Sequence, residues 1–116
     1  MEKWKIIPEY PNYAVSTLGE VMNVQRGNKL NGIVVQRGEQ VVRLRHPIKT
    51  FRIHRLVATA FIPNPNRIYG VEHLDKQKHN NHVWNLKWYP RNRLEKIVQL
   101  SKYDQFSGLS RLDTRN

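Results

Sequence analysis

Apolar and polar residues alternate strongly in two runs near the middle of the chain, 41–45 and 51–53. A period of two indicates a strand with one face buried and the other exposed. A third apolar run, 33–36, follows the turn signal Asn31-Gly32 and is the natural partner strand. We therefore predict an antiparallel sheet whose outward face carries side by side Arg43, Arg45 and Arg52.

The first 24 residues contain short extended pieces separated by turns. The apolar run that begins at Trp4 is stopped by Pro8 and Pro11, and a turn at 16–19 separates the next two apolar pieces. This pattern predicts a β-hairpin with a small core that contains Trp4 and Tyr13.

Two later segments have the spacing of amphipathic helices. In 54–62, the apolar positions i, i+1, i+4 and i+5 are Leu56, Val57, Ala60 and Phe61, and Pro63 ends the helix. Pro90 suits a first helical position, and the spacing after it predicts a helix over 90–101. Small and polar residues beyond Lys102 predict a loose tail, 102–116.

The chain of 116 residues is long enough for one domain, and its net charge is +11 with a pI near 10.4. A polyanion is the simplest partner for such a charge, because neutralised phosphates release counterions. No acidic residue lies between Glu39 and Glu72, where the basic residues are Arg43, Arg45, Lys49, Arg52, Arg55 and Arg67. We interpret this surface as a phosphate contact; the alternatives are a ribosomal-type protein and a merely soluble basic surface.

The chain has no cysteine, which excludes disulfides, thiolate zinc sites and thiol nucleophiles. It has no stretch of about 18 apolar residues that could span a membrane. Its charged N-terminus leads into Pro8 and Pro11 rather than into an apolar segment, unlike a signal peptide. We therefore expect a cytoplasmic protein, and a monomer.

Residues 71–88 hold the candidate chemistry. Glu72 and His73 are adjacent, the pair Asn80-Asn81 follows in a polar loop, and Asn85 opens the next apolar run. A lone histidine would more often be structural, but this ordered set resembles the active-site hairpin of HNH endonucleases of the phage and group-I-intron type. The resemblance covers roughly residues 4–95. It includes the short module that often precedes such domains, matched at Trp4, Ile7, Tyr13, Val15, Ser16, Gly19 and Val21.

The resemblance implies an α+β fold: a small N-terminal antiparallel β-sheet module over 1–53, followed by a ββα-metal motif over 54–101. It implies a nuclease that hydrolyses phosphodiester bonds of double-stranded DNA with a divalent metal, Mg²⁺ or Mn²⁺. His73 matches the general base, Asn85 the residue that orients it, and Glu72 a metal ligand. The loop is shaped by Asp75, Asn80 and Asn81, and DNA would be contacted by Arg43, Arg45, Lys49, Arg52 and Arg55.

One departure from the family pattern affects the metal. The helix position that should supply the second ligand is Leu94, which cannot bind a metal, and Asn92 is the nearest replacement. Two residues along a helix correspond to about 200° of rotation, so Asn92 serves only if the helix start shifts. Glu95 and His79 are weaker candidates. The alternative function is a catalytically degenerate HNH domain that binds DNA or a protein partner.

Overall fold

The computed structural model describes residues 1–90. Within them the chain forms strands and one α-helix, an α+β fold as predicted. The predicted helix over 90–101 and the tail over 102–116 lie outside the described residues, as do Asn92, Leu94 and Glu95. The chain divides into two compact units. The first comprises Met1–Pro63 and Val71–Lys87; of the second, the structure describes 64–70 and 88–90.

The N-terminal strands form a four-stranded antiparallel sheet in the order β1-β2-β3-β4. Its strands are β1 (Trp4–Ile7), β2 (Tyr10–Ser16), β3 (Val21–Asn23) and β4 (Asn28–Leu30). Tyr13 is 6% exposed and lies in the core, as the sequence predicts, whereas Trp4 is partly exposed. Strand β4 was not predicted, because three residues with one apolar side chain show no alternation.

A second antiparallel sheet has the order β5-β6-β7, with β5 (Ile33–Val34), β6 (Gln40–Leu44) and β7 (Lys49–Arg52). Val42 and Leu44 are buried and Arg43 is exposed, so the predicted alternation is confirmed. β5 is shorter than the predicted strand because the chain turns after it, where the Val35 amide donates to the carbonyl of Glu39.

Helix α1 (Ile53–Phe61) follows β7 directly and packs against β1, β2, β6 and β7. The predicted strand over 51–53 therefore ends one residue early, and Ile53 begins the helix instead. The fully buried positions are Ile53, His54, Val57 and Ala58, whereas Leu56, Ala60 and Phe61 are partly buried against the core. The helix ends before Pro63, because a residue that precedes proline is disfavoured in the α conformation.

Strands β8 (Gly70–His73) and β9 (Leu86–Tyr89) pair with each other, as the sequence predicts. A single 3-10 turn, Val83–Asn85, leads into β9. Leu86 joins the core that the two larger sheets and α1 share, which fixes the start of β9. The long loop between β8 and β9 contains most of the candidate site residues.

In the second unit, Asn64 and Ile68 close a short loop by two hydrogen bonds. The Asn64 side chain accepts from the Ile68 amide at 2.9 Å and donates to the Ile68 carbonyl at 2.7 Å. Among residues 1–90, no helix is long and apolar enough to cross a membrane.

Candidate active site

His73 is the last residue of β8, and its side chain is enclosed by protein. It is 8% exposed, and its Nε2 lies 2.9 Å from the Oδ1 of Asn81. On another side, the imidazole ring of His54 packs edge-on against it, with 5.0 Å between ring centroids. The core helix and the polar loop therefore both hold the imidazole of His73.

His54 is a buried histidine near the start of α1, in the segment for which the sequence predicts only an amphipathic helix. It is 5% exposed, and its Nδ1 is buried with no hydrogen-bond partner. Burial, together with the nearby charge of His73, lowers the pKa of His54 to about 4. His54 is therefore neutral near pH 7, and it packs against His73 without adding a positive charge.

The loop after His73 is held by a set of hydrogen bonds centred on Asp75. Its carboxylate accepts from the side chain of Asn80 at 2.8 Å, the amide of Gln77 at 2.8 Å and the side chain of Asn85 at 2.9 Å. The bond from Asn80 contributes most, and together these bonds hold the pKa of Asp75 below its usual value. Asp75 and Asn80 are thus joined to each other within the loop between β8 and β9.

Asn85 joins the beginning of the loop to its end. It is 5% exposed; its Oδ1 accepts from the Asp75 amide at 3.1 Å, and its Nδ2 also donates to the Asn80 carbonyl at 2.8 Å. Its own carbonyl accepts from the Leu74 amide at 2.8 Å. Asn85 therefore holds the two residues that follow His73, while the polar partner of the His73 ring is Asn81.

Glu72 precedes His73 on β8 and is more accessible, with 31% of its side chain exposed. Its Oε2 lies 3.3 Å from the Nζ of Lys76. Among residues 1–90, no group of three or more histidine and acidic side chains could hold a metal ion. A single accessible carboxylate still suits Mg²⁺, which commonly takes one or two protein carboxylates together with waters and substrate phosphate oxygens.

The turn between β2 and β3 supports the loop between β8 and β9. The buried Ser16 hydroxyl accepts from the amides of Leu18 and Glu20, each at 3.1 Å, and this shapes the turn. The carbonyl of Thr17 accepts from the amide of Val83 at 2.8 Å. At Gly19, which has a φ of +85°, an added Cβ would stand 2.8 Å from the Cβ of Asn81. The turn that the sequence predicts is thus packed directly on the loop.

An open cavity of about 740 Å³ lies beside this contact and is lined by the turn, by residues 30–32 and by the loop. Gln40 and Asn81 line it, and the Asn81 Nδ2 donates to the Gln40 Oε1 at 3.0 Å. Sequence reasoning assigned Asn81 to the shape of the loop and did not identify Gln40. No local signal could have found this pair, because 41 positions of sequence separate the two residues.

The predicted basic surface is only partly assembled. Arg43 and Arg45 are exposed, but the Nε of Arg52 lies 2.9 Å from the Oε1 of Glu39, so the negative charge of Glu39 offsets that of Arg52. Burial raises the pKa of Glu39, but the hydrogen bond from Arg52 and nearby positive charges outweigh it, and the pKa lies below its usual value. Arg52 therefore has a structural partner that the sequence did not predict.

Two further residues of the predicted DNA surface lie elsewhere. Lys49 pairs with the inward-facing Leu44, so it is on the opposite face of the sheet from Arg43, and its Nζ lies 5.3 Å from the centre of the Phe51 ring. Arg55 is on α1 and is partly buried. Of the five residues, Arg43, Arg45 and Arg52 are exposed on the outward face of this sheet or just beyond it, and Arg52 is paired with Glu39.

Known proteins resemble this chain both in its N-terminal sheet and over most of its length. A family model for the NUMOD4 motif matches residues 2–45. The chain is 40% identical over 88 residues to an uncharacterized HNH endonuclease of Acanthamoeba polyphaga mimivirus, a match that covers 74% of this chain and 26% of that protein. It is also 36% identical over 89 residues to the DNA endonuclease I-HmuI of Bacillus phage SP01. This second match covers 74% of this chain and 51% of that protein. The chain thus spans about half, or less, of the length of these relatives.

The fold agrees with a solved structure that describes DNA binding and cleavage by the HNH homing endonuclease I-HmuI. The TM-score is 0.71 at 28% sequence identity, and the match covers 97% of this chain and 64% of that chain. Motif, relatives and fold agree with the resemblance inferred from residues 71–88. The chain thus carries the NUMOD4 motif and is similar to HNH homing endonucleases in sequence and in fold.

Proposed function

We propose that this chain is a DNA endonuclease that hydrolyses phosphodiester bonds with His73 as the general base. The observation that carries the proposal is the enclosed imidazole at the end of β8, held by Asn81 and His54 and preceded by Glu72. The names of the relatives support the reaction class. A base fixed in this way acts in the chemical step, where it takes the proton from the attacking water.

The proposed cofactor is a divalent metal, Mg²⁺ or Mn²⁺, with Glu72 as one ligand and Asn92 as the other. When bound, such an ion stabilises negative charge on the phosphate and on the leaving oxygen. The carboxylate oxygens of Glu72 are hard ligands of the kind these ions prefer, and they remain accessible. Lys76 lies next to the same carboxylate and would balance its charge in the absence of metal.

The proposed substrate is double-stranded DNA, held partly by Arg43 and Arg45. A net charge of +11 favours a polyanion, and these two side chains are exposed. Arginines on an outward sheet face suit phosphate contacts, which position a duplex without reading its sequence. We propose that Arg52 contributes less, because Glu39 neutralises part of its charge.

A plasmid-nicking assay tests the proposal. Supercoiled plasmid is incubated with the protein in Mg²⁺ or Mn²⁺, and the relaxed and linear forms are measured over time. The proposal expects strand breaks that require the metal and disappear with EDTA. Glu72→Gln keeps the size of the side chain but removes the charge, so it should raise the metal concentration needed for half-maximal rate.

The second candidate function is a non-enzymatic HNH domain that binds DNA or a protein partner. One sequence observation favours it: Leu94 stands where the resemblance implies a metal ligand. In that case, duplex binding would persist, and no strand breaks would appear at any concentration of Mg²⁺ or Mn²⁺. The same assay therefore separates the two functions.

A further inference from the structure

A chain of side-chain hydrogen bonds connects the second sheet to His73. Gln40, on β6, accepts at its Oε1 from the Nδ2 of Asn81 at 3.0 Å. Asn81 in turn presents its Oδ1 to the Nε2 of His73 at 2.9 Å. Asn81 is 2% exposed, so water cannot easily replace either partner.

The direction of the first bond determines the direction of the second. An amide group has one oxygen that accepts and one nitrogen that donates. Because the nitrogen of Asn81 is directed at Gln40, its oxygen is directed at His73. A carbonyl oxygen accepts only, so the Nε2 of His73 must carry a hydrogen. In a neutral imidazole, the lone pair available for a proton is then on Nδ1.

The backbone of Asn81 is fixed as well as its side chain. A Cβ at Gly19 would stand 2.8 Å from the Asn81 Cβ and 3.1 Å from its carbonyl oxygen, so the turn leaves no space for the loop to shift inward. The bond from the Val83 amide to the Thr17 carbonyl holds the next part of the loop. Asn81 is therefore held from the N-terminal sheet at its backbone and from the second sheet at its amide.

We propose that Gln40, acting through Asn81, is a positioning residue that keeps His73 in the Nε2–H tautomer and so makes Nδ1 the basic nitrogen of the site. The catalytic consequence rests on the proposed function, in which His73 is the general base. There, a water proton passes to Nδ1 as the water oxygen bonds to phosphorus. The bond from phosphorus to the leaving oxygen breaks, and that oxygen takes a proton from solvent.

The test exchanges the acceptor at position 40 for a donor. In Gln40→Lys, an ammonium group can only donate, so it should attract the Asn81 oxygen and turn the Asn81 nitrogen toward His73. The Nε2 of His73 must then accept, and its hydrogen should move to Nδ1. Gln40→Glu keeps an acceptor and should leave the tautomer unchanged. Gln25→Lys adds the same charge at an exposed turn and is the matched control.

The readout is nitrogen NMR of protein labelled with ¹⁵N-histidine, recorded at about pH 8, where an ordinary histidine is neutral. The spectrum of His73→Gln assigns the His73 signals. We expect the hydrogen on Nε2 in the wild type, in Gln40→Glu and in Gln25→Lys, and on Nδ1 in Gln40→Lys. A hydrogen on Nδ1 in the wild type would overturn the proposal. So would an unchanged tautomer in a folded Gln40→Lys protein.

Cleavage provides the second readout. In Gln40→Lys, the single-turnover rate should fall by roughly 10²-fold, within the range that general-base catalysis contributes, while DNA affinity follows that of Gln25→Lys. A full rate alongside a switched tautomer would refute the catalytic part of the proposal. A wild-type protein that never cleaves DNA but shows the expected tautomers would refute the proposed function and leave the role of Gln40 standing.

Discussion

Gly19 and Asn81 approach each other so closely that a single added carbon does not fit between them. A Cβ at Gly19 would lie 2.8 Å from the Cβ of Asn81, at a backbone φ of +85°. Gly19 lies within the NUMOD4 match, and Asn81 lies in the loop that contacts His73. The N-terminal sheet therefore supports the loop that contacts His73.

Gly19→Ala should destabilise the protein more than Gly27→Ala does. Both glycines have positive φ, which costs a non-glycine residue about 1–2 kcal/mol. A Cβ at Gly27 would meet nothing within 4 Å, whereas one at Gly19 meets Asn81, at a further cost of about 1–3 kcal/mol for overpacking. The free energies of unfolding from urea titrations give the difference, and equal losses would show that the contact with Asn81 is unimportant.

Arg43→Glu should weaken duplex binding for all DNA sequences, since the arginine would contact phosphate. The slope of log K against log salt should become flatter by roughly 1 for the lost contact. Lys49→Glu makes the same change of charge on the opposite face of the sheet and serves as the control. If the two variants flatten the slope equally, the outward sheet face is not the DNA surface.

Acid should destabilise the fold through His54. Its pKa is about 4 in the folded protein and near 6.5 when unfolded, so the unfolded chain binds the proton first as the pH falls. Above pH 6.5, His54 is neutral in both states and its protonation does not affect stability. As the pH falls from 6.5 to 4, protonation of the unfolded chain lowers the free energy of unfolding by roughly 3 kcal/mol in total. His54→Phe should remove this part of the pH dependence, as followed by urea unfolding from pH 7 to pH 4.

The family pattern and its departure at Leu94 lead to a pair of variants. If leucine has removed a metal ligand, Leu94→Asn should raise cleavage or metal affinity, because an amide oxygen would complete the coordination beside Glu72. If Asn92 has taken over, Leu94→Asn should do little, and Asn92→Ala should abolish cleavage. Cleavage rates measured against metal concentration distinguish these two possibilities. If neither variant changes the rate or its metal dependence, the second metal ligand is another residue.

Local sequence patterns predict a strand or helix well where the element is long enough to show a period of apolar residues. The alternation around Val42 and Leu44 identified β6, and the resemblance to HNH endonucleases predicted the paired strands β8 and β9. Strand β4 and the burial of His54 were missed, because three residues show no period and a histidine on a helix does not reveal what packs against it.

The resemblance names candidate site residues one by one, but it does not predict how they are connected in the structure. Asp75 and Asn80 shape the loop, since those contacts are local in sequence. The bond from Asn81 to Gln40 and the ion pair of Arg52 with Glu39 depend on tertiary packing, and neither leaves a local pattern. Lys49 was placed with Arg43 because charge was counted along the chain, whereas the register of β6 and β7 puts it on the other face.

The central claim is that His73 performs the chemical step, and His73→Ala tests it most directly. Single-turnover cleavage of a defined duplex and the affinity for that duplex should be measured on the same preparations of wild type and variant. We expect cleavage to fall by at least about 10²-fold while the affinity stays nearly unchanged, because a general base acts after binding. Strand cleavage that persists at the wild-type rate in His73→Ala would contradict this account and place the active site on other residues.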